Sequence, residues 1–190
     1  MTNTFGDRYL FPVNREAFNR VGAETIFSKQ FSCVLEQENA LHVFVGLDSG
    51  LLLNFFNQKK LPKSSCLVFV ELPEILVRLK EEGLLNNLAE QILCTDSRDF
   101  LAKLGNGEFR QYFYLDRVQL WQSVAAKDAH IPEYLELHTL VRDSISELLY
   151  EIRTGINTQM FIQRQLNNLA DNRIHAHHLD GLFKEKLLSS

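Results

Sequence analysis

The sequence predicts an α/β fold: a Rossmann-like, mostly parallel sheet with helices on both faces, followed by a C-terminal pair of longer helices. Three observations predict it. The apolar run His42-Val43-Phe44-Val45 climbs into the turn Gly46-Leu47-Asp48-Ser49-Gly50, and an amphipathic segment, Leu51 to Phe56, leaves it at once. Glycines at such a strand-to-helix turn let the backbone bend tightly and leave room for a ligand near the helix N-terminus. About twenty residues on, a second apolar run, Cys66 to Val70, closes on Glu71, the position where nucleotide-binding units place an acid for a ribose hydroxyl. Strand-like runs then alternate with helical patterns up to residue 115, which argues for parallel strands joined by helices.

The elements follow in order. Residues 1–14 read as loop, with a helix starting at Asn14 as N-cap and running through Phe18 and Val21 toward Phe27. Residues 30–41 suggest a lead-in strand and turn. Strands are expected at 42–46, 66–71, 91–94 and 111–115, with helices at 51–58, 73–82 and 97–104. Pro73 suits the first turn of its helix, where the missing N–H costs little. Asp96 or Ser97 can cap the next helix, and Gly105-Asn106-Gly107 ends it. From Pro132 to Arg153 the stripe Tyr134, Leu137, Val141, Ile145, Leu148, Leu149 and Ile152 predicts a long amphipathic helix. Gly155 is expected to break it before a second helix carrying Ile156, Met160, Ile162, Leu166 and Leu169. The organisation read from this is an N-terminal helix and lead-in strand (1–41), a Rossmann-like core (42–128) and a helical extension (129–190). The amphipathic tail, Leu182 to Ser190, stops without a closing element, which suggests a continuation into a further domain.

Composition narrows the class. The 190 residues are 45% hydrophobic, enough to bury a full core, and the net charge of −4 offers no footprint for nucleic acid. No apolar stretch approaches the roughly 20 residues that span a bilayer, and the N-terminus has no signal-peptide pattern. Cys33, Cys66 and Cys94, an odd number, fit small core residues in a reducing compartment, so a cytoplasmic setting is expected. Fourteen phenylalanines lie mostly inside periodic apolar segments and read as core; Trp121 reads as covering a sheet edge.

The candidate ligand-binding residues are Gly46, Asp48, Gly50, Glu71 and Asp96, expected at the crevice outside the carboxyl ends of the strands. There Glu71 would accept from ribose hydroxyls and Asp96 would contact a base or amino group. The run Leu93 to Leu101 resembles the corresponding stretch of adenosylmethionine-dependent methyltransferases, so adenosylmethionine is the cofactor under that reading. Alternatively the glycines merely permit the turn and the acids end strands. The middle and third glycines of Gly-x-Gly-x-x-Gly are missing, and Asp48 inside the turn repels a diphosphate. His175, His177 and His178 form a polar cluster without a third or fourth ligand type nearby, so no metal site is assigned. Gly-x-Ser-x-Gly and the P-loop pattern are absent, and no catalytic residue is assigned.

Several segments together resemble the N-terminal domain of the motility-associated factor (Maf) proteins, flagellin glycosyltransferases of polarly flagellated bacteria. They are Tyr9-Leu10-Phe11-Pro12-Val13-Asn14 with Ala17-Phe18, Val43 to Gly50, Val68 to Leu76, and Gln165-Leu166-Asn167-Asn168-Leu169. The family's turn is usually richer in glycine than Gly46-Leu47-Asp48-Ser49-Gly50. The resemblance implies a non-catalytic Rossmann-like domain preceding a sialyltransferase-like catalytic domain. That second domain would move a nonulosonic acid from a CMP-activated donor to flagellin. It also implies flagellin or that catalytic domain as partner, with a homo-oligomer through the C-terminal helices as a further expectation.

Overall fold

The computed structural model describes the backbone of residues 1–188 and the side chains of residues 1–170. The side chains of His175, His177 and His178 and of the tail from Leu182 lie outside the described residues. The chain divides into two compact units, Met1–Glu147 and Leu148–Ser190.

The first unit opens with α1 (Phe11–Asn14), α2 (Ala23–Phe31) and a 3-10 helix over Ser32–Glu36. The alternating core follows: β1 (Leu41–Val45), α3 (Leu51–Asn57), β2 (Cys66–Val70), α4 (Pro73–Glu81), β3 (Ile92–Thr95), α5 (Ser97–Gly105), α6 (Arg110–Tyr114), β4 (Val118–Gln122) and α7 (Val124–Asp128). α8 (Pro132–Leu188) begins in the first unit and supplies the helix of the second.

The four strands form one all-parallel sheet in the order β3-β2-β1-β4. All five residues of β1 are buried, as the central strand of a sheet covered on both faces must be. β4 is an edge strand and only half-buried, and its sequence Val-Gln-Leu-Trp-Gln alternates accordingly. The chain moves outward from β1 to β3, then returns to the far side of β1 with β4. Right-handed crossovers therefore place α3 and α4 on one face and α5 and α6 on the other.

One face is built from rings. His42 and Phe44 of β1, Leu67 and Phe69 of β2 and Trp121 of β4 share it by register. Phe44 stacks on Phe69 at 4.9 Å and on Trp121 at 6.2 Å, while Phe31 of α2 meets Phe44 and Trp121 edge-on. Phe27, Phe55, Phe56, Leu76 and Leu79 complete that layer. This is where the phenylalanines go. Val43, Val45, Val68 and Val70 point to the opposite face, where Phe100 and Leu104 of α5 and Tyr112 and Phe113 of α6 are buried. In α8 the stripe Tyr134, Leu137, Val141 and Ile145 is buried as its spacing predicts.

Four expectations are corrected. Asn14 ends α1 instead of capping a helix, because its side chain is buried and bonded elsewhere; the helix proper starts at Ala23 after Gly22. The lead-in segment is a 3-10 helix whose N-cap residue Phe31 and whose Val34, three apart, are both buried, so the period is three and not two. Residues 111–115 lie in and just after α6, and the fourth strand comes at Val118–Gln122, carrying Trp121 at the sheet edge. Helix α8 runs through Gly155, so one helix replaces the expected pair. A lone glycine costs about 1 kcal/mol against alanine, too little to end a helix of 57 residues.

Candidate functional site

In a sheet of this order the strands reverse direction of travel between β1 and β4, and the crevice beyond their carboxyl ends is where open α/β folds bind ligands. The turn after β1 leads into it. Gly46 sits at φ +89°, and a side chain there would collide with the Ser123 hydroxyl that follows β4. Asp48 and Ser49 are both left-handed, at φ 48° and 58°, before Gly50 at φ +88°. Two consecutive non-glycine residues in that region cost about 1–2 kcal/mol each, so side-chain bonds must hold them.

They do. The fully buried Asp48 carboxylate accepts from the backbone N–H of Val124 (2.9 Å) and Ala125 (2.8 Å), the first turn of α7. It also accepts from the Asn14 side-chain amide at 2.9 Å. The Ser49 hydroxyl donates to Asn14 Oδ1 at 2.6 Å and accepts from Leu10 N–H at 3.1 Å. Ser123 caps α7 through Ala126 N–H at 3.2 Å. Three segments distant in sequence, around residues 14, 48 and 124, thus meet at the crevice.

Glu71 is equally buried and lies beside Asp48. Its carboxylate accepts from Leu47 N–H at 2.7 Å and Leu72 N–H at 2.8 Å, tying the turn after β1 to the turn after β2. Burial raises the carboxyl to about 7, opposed by those amides and by the Tyr134 hydroxyl, and reinforced by the Asp48 charge. Burial also raises the Asp48 pKa, against the pull of its own hydrogen bonds. The Tyr134 phenol, at the start of α8, faces Glu71 without the geometry of a formed hydrogen bond; burial and the two carboxylates hold it protonated.

The structure therefore brings Gly46, Asp48, Gly50 and Glu71 together and leaves Asp96 apart. Asp96 is the N-cap of α5, accepting from Asp99 N–H at 2.8 Å. The amides that a ligand phosphate would use, those of Leu47, Leu72, Val124 and Ala125, already donate to Glu71 and Asp48. The two acids assigned to ribose and base under the adenosylmethionine reading are bonded to the protein's own backbone. A preformed anion cradle is here filled by the chain's own carboxylates.

Asn14, Ser49, Ser123 and Tyr134 belong to this centre and were not legible as such. Asn14 carries the strongest missed signal, an amide three residues after Phe11 in a segment otherwise apolar. Elsewhere, burial lowers the His42 imidazole to about 4; it accepts from the Trp121 indole N–H at 3.2 Å and stays neutral. Burial raises the Cys66 and Cys94 thiols to about 11 and about 12, so neither is a nucleophile. Among the described residues no helix is long and apolar enough to cross a membrane, and no three metal-ligating side chains gather. No protein-family model, curated protein or solved structure matches this chain.

Proposed function

We propose that this chain is a non-catalytic Rossmann-like domain, the N-terminal domain of a cytoplasmic flagellin-modifying glycosyltransferase, acting in recognition of the flagellin acceptor. Transfer of the sialic-acid-like sugar from its CMP-activated donor is the work of a separate catalytic domain. The observation that supports this reading best is the self-filled crevice, in which Asp48 and Glu71 occupy the amides a nucleotide would need. The four segments resembling the Maf proteins supply the biological setting. The expected result is that purified chain binds unmodified flagellin with a dissociation constant of tens of micromolar, and adds no mass to it when a CMP-linked nonulosonic acid is present. Sugar transfer by this chain alone, or no complex at about 100 μM flagellin, would overturn the proposal.

A second reading is an assembly module. Ile156, Met160, Ile162, Leu166 and Leu169 on α8 are exposed large hydrophobics, a pattern that a partner helix would cover. Sedimentation at tens of micromolar separates the two, since a monomer with intact flagellin binding leaves no role for self-association.

A further inference from the structure

A cleft of about 470 Å³ opens within the first unit, between the segment around Arg8, α2, α3 and α4. Ser49 and Gly50 of the turn after β1 form part of its lining, so it borders the closed crevice. Its volume falls in the range of small-molecule sites, roughly 300–1,000 Å³. Phe27 and Phe55, with rings 5.7 Å apart, line its apolar side. Asn54 of α3 and Gln58, its C-cap residue one turn on, line it with side-chain amides that make no hydrogen bond among the described residues.

The charges on its rim are unevenly committed. The Asp7 carboxylate is engaged by Ala23 N–H at 2.9 Å and Asn3 at 2.8 Å, and Glu24 is paired with Lys59 at 3.0 Å. What remains is Glu82 between two guanidiniums, Arg8 at 3.9 Å and Arg78 at 3.7 Å. Both distances exceed the roughly 2.7–2.9 Å of a formed charge-assisted hydrogen bond. Asp7, held by neutral donors, keeps its charge, so two guanidiniums face two carboxylates; what the rim offers an anion is the guanidinium N–H donors of Arg8 and Arg78, which make no hydrogen bond among the described residues.

We propose that this cleft binds a small organic anion whose carboxylate or phosphate sits between Arg8 and Arg78. Hydroxyl or amide groups on its body reach Asn54 and Gln58, and its apolar face covers Phe27 and Phe55. This chemistry belongs equally to a nucleoside monophosphate, a sugar phosphate and a sugar acid. The inference is independent of the reading as a glycosyltransferase domain, which concerns flagellin and not this cleft.

The test is titration calorimetry of the full chain with AMP, glucose 6-phosphate, glucuronate and inorganic phosphate, each in a separate arm. At least one organic anion should bind with a dissociation constant below about 1 mM. Arg8→Ala and Arg78→Ala should each weaken it about tenfold, and Asn54→Ala with Gln58→Ala should weaken the organic arms while leaving inorganic phosphate unchanged. Arg98→Ala, on α5 away from the cleft, should leave binding as it is. The Arg8 and Arg78 side chains are 80% and 57% exposed, so their removal leaves the fold intact, which thermal melts verify. Absence of heat in every organic arm at about 5 mM, arginine variants that bind like the parent, or phosphate binding as tightly as the organic anions would overturn the assignment.

Discussion

Glu71 shows how one side chain can bias a fold against pH. Its carboxyl titrates near 7 in the folded chain against 4.5 for an ordinary glutamate. Between those values the folded chain holds a proton that the unfolded chain has released, so this residue's contribution is complete below pH 4.5 and is lost as pH rises through 7. The full swing is roughly 3 kcal/mol. Asp48, also raised, acts in the same direction. His42 acts oppositely: with the folded imidazole near 4 against 6.5, its contribution is present above 6.5 and lost as pH falls through 4. The parent profile is therefore flattened, with His42 opposing the two acids. Glu71→Gln should remove the Glu71 part of the falling limb, so the stability difference between parent and variant shrinks from pH 4.5 to pH 7; urea titrations across that window measure it. A constant difference would show that Glu71 stays charged throughout.

Neighbouring residues predict larger losses. Asp48→Ala strands the Val124 and Ala125 amides and the Asn14 side chain without their acceptor in a buried site, at a cost of about 3–5 kcal/mol. Gly46→Ala meets the Ser123 hydroxyl and a φ of +89° together, and should cost about 2–3 kcal/mol. Denaturant midpoints read both. A loss under about 1 kcal/mol for Asp48→Ala would mean that water replaces the carboxylate, and that the crevice is open to solvent.

At the scale of elements, the strand-helix alternation from β1 through α5 was readable because several signals agreed. A five-residue apolar run fixed β1, Pro73 fixed the start of α4 and the Asp96 cap fixed α5. Agreement failed where a short apolar run could serve either structure. Tyr112-Phe113-Tyr114 reads as strand by propensity, yet Tyr112 and Phe113 are buried from a helix while Tyr114 stays exposed, and tertiary packing decided the matter. The candidate acids were found by position, but their partners could not be: Asn14 and Val124 come to Asp48 from 34 and 76 residues away. No local pattern encodes such a meeting. Gly155, expected to stop a helix, sits within α8 with open space where a Cβ would stand. Gly155→Ala should therefore raise helix stability by up to about 1 kcal/mol, seen as increased ellipticity at elevated temperature. Lost helicity would show that the glycine serves a bend.

The whole molecule divides at Glu147, and the sheet, its two helical layers and the buried acid centre all lie before that point. A chain ending at Glu147 retains the buried stripe of α8 from Tyr134 to Ile145 and should unfold in one cooperative transition, checked by calorimetry. A broad, probe-dependent transition would tie the core to the later residues.

β4 also bears on how the protein is born. On the ribosome, β1 to β3 can assemble while the last strand is still being synthesised, leaving the flank of β1 with its row of peptide groups exposed for more than seventy residues of elongation. Until Trp121 docks and Asp48 clasps α7, a nascent chain carries an adhesive edge. Substitutions that loosen that clasp should thus hasten unraveling of the finished protein and lengthen its dependence on chaperones, while the earlier steps of its assembly proceed at their usual pace.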